Sequence, residues 1–136
     1  MRQFLDRASL CFAAGAFGAL ISSLAVWAAG AYHLTARLHV HIAPALTADW
    51  LYPRIVWGGL WGFLFMLPVL PGRWWLRGIV LSLAPSAFQL LYVFPHEMVH
   101  GLFGLGLGML TPVFVLAANA LWGFAGAWLL HMTGRA

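Results

Sequence analysis

Apolar residues fill this chain in four long runs, and short stretches between them carry most of the charge. The runs are Leu10 to Tyr32, roughly Leu51 to Leu70, roughly Trp74 to Phe94 and roughly Thr111 to Leu130. A helix rising about 1.5 Å per residue needs about 20 residues to cross a hydrocarbon core of about 30 Å. Each run is about that length. Hydrocarbon offers the backbone no hydrogen-bonding partner, so a segment that crosses it must satisfy its own N–H and C=O groups, which a helix does. The pattern predicts an all-α membrane protein, a four-transmembrane-helix bundle forming one domain over residues 1–136. Short interfacial or re-entrant segments are expected on its outer face.

Arg2 and Arg7 precede the first run, as they would in a signal peptide, and the Ala-Ala-Gly-Ala ending at Ala31 resembles a cleavage site. The apolar core is longer than the 7–15 residues typical of a signal peptide. The first run is therefore read as an uncleaved anchor.

Composition agrees with hydrocarbon as the solvent. Of 136 residues, 63% are hydrophobic and 7% charged, against about 25% charged in soluble domains. The basic residues are seven arginines, and there is no lysine. A pI near 10.3 does not indicate nucleic acid, because the arginines are scattered and form no basic stripe along which a phosphate backbone could run. Their placement instead sets orientation. Arg2, Arg7, Arg73, Arg77 and Arg135 fall on one side, and only Arg37 and Arg54 on the other. The positive-inside rule puts both termini and the 71–77 loop in the cytoplasm, and the 33–50 and 95–110 segments outside. A bacterial inner membrane is the expected location. Tyr32, Trp50 and Tyr52 would mark the outer interface, and Trp74, Trp75 and Trp128 the inner one. The single cysteine, Cys11, reads as a small packing residue.

Within the spans, Gly58 and Gly62 form a GxxxG pair and Gly123 and Gly126 place small residues in the fourth span. Such residues let helix backbones approach where lipid supplies no hydrophobic drive. Pro68 and Pro85 can each kink a helix. Ser82, Ser86 and Gln89 recur at helical spacing and form a polar face, expected to point into the bundle with Asn119 as partner. That face serves either as interhelical glue or as part of a polar path.

The sharpest local motif is His96-Glu97-Met98-Val99-His100, which fits H-E-x-x-H. On a helix the two histidines share a face and can hold one zinc ion, with the glutamate as base toward a metal-bound water. In these five residues the chain resembles the zinc metalloprotease motif. The resemblance implies His96 and His100 as ligands and Glu97 as the catalytic residue. No obvious third ligand follows. A second histidine pair, His39 and His41, lies in a stretch that alternates in period two from Thr35 to Ile42, which suits an extended segment. Leu34, Leu38, Ile42 and Leu46 recur every four residues and suit an interfacial helix instead. Together His33, His39, His41, His96 and His100 fall on the outer side, where His96, His100, His39 and His41 form a candidate zinc or copper site. Met98 or Asp49 would add a ligand. Gly101, Gly104, Gly106 and Gly108 suggest a break before the fourth span, with Thr111 as its N-cap and Pro112 in its first turn.

Three functions follow. The first is a non-enzymatic structural or accessory subunit, with the bilayer and a homo-oligomer or larger membrane complex as partners. The second is metal-ion handling or transport through the outer histidines. The third is a zinc protease. The first is the reading taken forward.

Overall fold

The computed structural model describes residues 2–37, 46–67, 73–92 and 110–133. Among these residues the structure is all-helical, without strands. The elements are α1 (Arg2–Ala31), α2 (Leu34–Arg37), α3 (Ala48–Trp61), a 3₁₀ helix (Gly62–Met66), α4 (Trp74–Leu81), α5 (Leu83–Phe88) and α6 (Thr111–Met132). Two of them, α1 and α6, are long and apolar enough to cross a membrane.

The buried positions of α1 are Cys11, Ala14, Gly15, Gly18, Ala19, Ser22, Ser23, Val26 and Gly30. Their three-and-four spacing makes one stripe down the helix. Nearly all are small, so neighbouring backbones come close. On one flank, α3 runs antiparallel to α1 with Gly58 against Ala19 and Gly15, and Gly62 against Gly15 and the Cys11 carbonyl. On the other, α6 runs antiparallel with Trp122 over Gly18, and Gly126 near Ala14 and Phe65. Beyond α6, Gly78 of α4 meets Gly123 backbone to backbone. Trp122 sits where these elements converge. Its indole Nε1 donates to the Gly15 carbonyl at 2.9 Å, and its ring lies 5.6 Å from that of Phe65. Polar side chains bridge the same seams, with Ser22 Oγ donating to the Ala118 carbonyl at 2.7 Å.

Element ends differ from the hydropathy pattern in instructive ways. The 33–37 stretch is not extended: Leu34–Arg37 is a helical turn, entered through His33, whose φ of 64° lies in the left-handed region. Helix α3 starts three residues before the apolar run, because the Thr47 hydroxyl accepts from the Trp50 N–H at 3.3 Å as an N-cap. Thr111 does not cap α6. It is the first helical residue after Leu110, and its buried hydroxyl meets no partner among the described residues. Pro112 does lie in the first turn. Helix α4 begins at Trp74, where the third apolar run is expected to start, and takes in Arg77. Arg77 is only 7% exposed. Its Nη2 donates to the Phe65 carbonyl, and to that of Leu67 at 2.8 Å, so it serves carbonyls left open where the 3₁₀ helix ends. The third apolar run breaks at Ser82 rather than at Pro85. A proline ring clashes with the carbonyl four residues earlier, here that of Leu81. Residues 89–92 continue in a wider, π-type turn.

Candidate functional site

A cavity of about 570 Å³ is lined by the second half of α1, α3 from Pro53 to Trp61, α5 with residues 89–92, and the middle of α6. Helix α3 lends Pro53, Arg54, Trp57 and Trp61 to one wall. The opposite wall is Pro85, Phe88, Gln89 and Tyr92, and the floor comes from Ala19, Ser22, Ser23, Asn119 and Trp122. The Trp61 and Phe88 rings join the two walls, 5.7 Å apart. No Asp or Glu lines the cavity among the described residues. Its size falls within the roughly 300–1,000 Å³ of small-molecule sites.

The polar equipment divides in two. On the α5–α6 side, the Asn119 amide donates to Ser86 Oγ and to Gln89 Oε1, both at 3.1 Å. Ser86 Oγ donates in turn to the Ser82 carbonyl at 2.8 Å, and Ser82 Oγ to the Ile79 carbonyl at 2.6 Å. Ser82 and Ser86 are buried, and both spend their hydrogens on carbonyls of their own segment. Ser82 therefore makes no bond across to α6, and Asn119 with Gln89 and Ser86 forms the interhelical link. On the α1–α3 side, Arg54 Nε donates to Ser23 Oγ at 2.8 Å, and the guanidinium lies 4.9 Å from the centre of the Trp50 ring. Ser23 is 0% exposed, so the arginine is tied to the core of α1.

Sequence patterning treats Arg54 only as an outer-side charge. It stands inside an apolar run, and an ionisable residue there is a functional candidate in its own right. Ser22 and Ser23 are also legible as adjacent hydroxyls within an apolar span. Which faces of α1 and α3 meet is not legible, because it depends on the crossing at Gly15 and Gly58.

The histidine candidates fall elsewhere. His39, His41, His96, Glu97, Met98 and His100, with Gly101, Gly104, Gly106 and Gly108, lie outside the described residues. Among the described residues no three His, Cys, Asp or Glu side chains come together as a metal site. His33 is an exposed turn residue. His131 stacks on Trp74 at 4.9 Å, toward the end of α6. Cys11 is a buried free thiol. A second, smaller cavity on the other side of the α1–α6 pair is walled almost wholly by apolar residues such as Val26, Val113 and Leu121.

Comparison with protein families, with curated proteins and with solved structures finds no match.

Proposed function

We propose that this chain is a four-span integral membrane protein of the bacterial inner membrane, with cytoplasmic termini and a non-enzymatic structural or accessory role. The observation that supports it most is the distribution of polar and large apolar side chains. Polar side chains stand in the interior beside the apolar core of Phe65, Leu81, Trp122 and Leu130: Ser22, Ser23, Thr35, Ser82, Ser86 and Thr111 are all 2% exposed or less. The outside is large and apolar: Val56, Trp57, Leu83, Leu91, Val113 and Leu116 are each at least 40% exposed. Hiding one such side chain from water is worth about 1.5–3 kcal/mol. A water-soluble chain would turn those residues inward. Lipid removes the penalty for exposing them, and it makes hydrogen bonds between serine, asparagine and glutamine the natural interior contacts.

On this reading α1 and α6 cross as single helices. Helix α3 with its 3₁₀ extension forms the second crossing, and α4 with α5 and residues 89–92 the third. The antiparallel contacts, Gly15 with Gly58 and Gly78 with Gly123, support alternating directions. A homo-oligomer or a larger membrane complex would use the exposed apolar faces. The test is extraction. After alkaline carbonate treatment of membranes the chain is expected to stay in the pellet and to dissolve only in detergent. Release into the carbonate supernatant would overturn the membrane reading.

A further inference from the structure

We propose that the Arg54 cavity is a lateral groove that holds one anionic phospholipid of the outer leaflet, its phosphodiester on the Arg54 guanidinium. This inference rests on the four-span reading and gives that reading a ligand.

Charge comes first. Arginine keeps its proton in any protein environment. Arg54 spends Nε on Ser23 and one face on Trp50. Among the described residues its two η nitrogens meet no acceptor, and no carboxylate lines the cavity. A guanidinium fork with free η donors matches the oxygens of a phosphodiester. Across the groove, Gln89 lines the cavity and its Oε1 is occupied by Asn119, which leaves its amide nitrogen as a second donor.

Depth comes second. Arg54 lies six residues after Ala48, the start of α3, and so about 9 Å along the helix from that end. Trp50 and Tyr52 mark the interface just above it. Held on Ser23 and beside Trp50, the guanidinium stays at that level, so a lipid phosphate meets it by sitting low in the interface.

The walls decide between kinds of anion. Trp57 and Phe88 are 59% and 42% exposed, so both rims of the groove face surrounding lipid as well as the cavity. Trp61 and Trp122 continue the apolar lining inward. A free phosphate ion would leave these surfaces uncovered, whereas a phospholipid lays its acyl chain along them. A zwitterionic lipid would bring an ammonium group for which the groove has no acid among the described residues, so the anionic headgroup is favoured.

The full-length chain, purified, delipidated and reconstituted in equal phosphatidylglycerol and phosphatidylcholine of identical acyl chains, can be read by native mass spectrometry. The wild type is expected to retain one lipid per chain, with phosphatidylglycerol preferred about five- to tenfold, the scale of one arginine–anion contact near a membrane surface. Arg54→Gln should abolish the preference, and Arg54→Lys should keep most of it. Millimolar inorganic phosphate should not displace the lipid. Equal retention of both lipids by the wild type would overturn the proposal. So would an unchanged preference in Arg54→Gln, displacement by phosphate, or no bound lipid, which would mean that another part of the chain or a second copy fills the groove. If Arg54→Gln does not remain monodisperse, the wild-type headgroup preference and the Lys variant decide. A chain that resists carbonate extraction yet shows no preference refutes the ligand alone and leaves the membrane reading standing.

Discussion

Replacing Gly123 with leucine is expected to lower the stability of the folded chain by about 3 kcal/mol or more, at the upper end of overpacking effects. A β-carbon at Gly123 would run into the Gly78 carbonyl, and it would lie 3.2 Å from the Ser82 β-carbon. The first obstacle is backbone, which cannot rotate away as a side chain can. Because α4 and α6 meet at this crossing, relief requires moving one helix bodily. That movement would also strain the Asn119 bonds to Ser86 and Gln89. Gly59 is the internal control. The three atoms nearest a β-carbon there all belong to the ring of Phe12, starting at 2.6 Å, and a half-buried side chain can turn aside. Denaturation in detergent micelles should show Gly123→Leu with a sharply lowered midpoint and Gly59→Ala near wild type. Equal midpoints for all three would mean that the Gly78–Gly123 crossing does not hold α4 to α6.

The second large effect is expected at Arg77. Its guanidinium serves the carbonyls of Phe65 and Leu67, at the C-terminal end of the 3₁₀ helix, where helix carbonyls lose their own N–H donors. Hydrogen bonds from a charged donor are worth about 1.5–3 kcal/mol each. Arg77→Met keeps an apolar stem and removes both. Part of the loss is offset, because Arg77 Nε is buried without a partner and holding a charge there carries a desolvation cost. A net loss of about 2 kcal/mol is therefore expected. Arg77→Lys, which can still donate to carbonyls, should fall between. The same micelle denaturation checks this, and a methionine variant as stable as wild type would contradict the capping role.

The first and last helices were legible from hydropathy because they are apolar over a full span. Run four, Thr111 to Leu130, matches α6 to within two residues. Run one misses the first two turns of α1, since Arg2, Asp6 and Arg7 end the apolar stretch without ending the helix. Hydropathy measures where oil begins, whereas a helix can project beyond it. The 3₁₀ segment at Gly62–Met66 and the wide turn at 89–92 leave no mark in polarity, because they change which carbonyl each N–H meets and not which residues are apolar. Gly58 and Gly62 could be picked from their spacing, but Gly15, Gly18 and Gly78 could not. Their meaning comes from a partner on another helix. Arg54 and Arg77 were counted as side markers, and counting cannot reveal that one lines a cavity and the other caps a carbonyl pair. The histidine motif was the loudest chemical signal in the sequence, and it lies outside the described residues.

Site-specific labelling tests the four-crossing account most directly. In a Cys11→Ser background, single cysteines replace Gln3, Ala36, Ala48, Arg73 or Thr133, and intact cells are treated with a membrane-impermeant maleimide. The account predicts labelling at positions 36 and 48 alone, with positions 3, 73 and 133 reacting only after the membrane is permeabilised. Labelling of positions 48 and 73 from the same side would contradict it, because α3 and its 3₁₀ extension would then not cross.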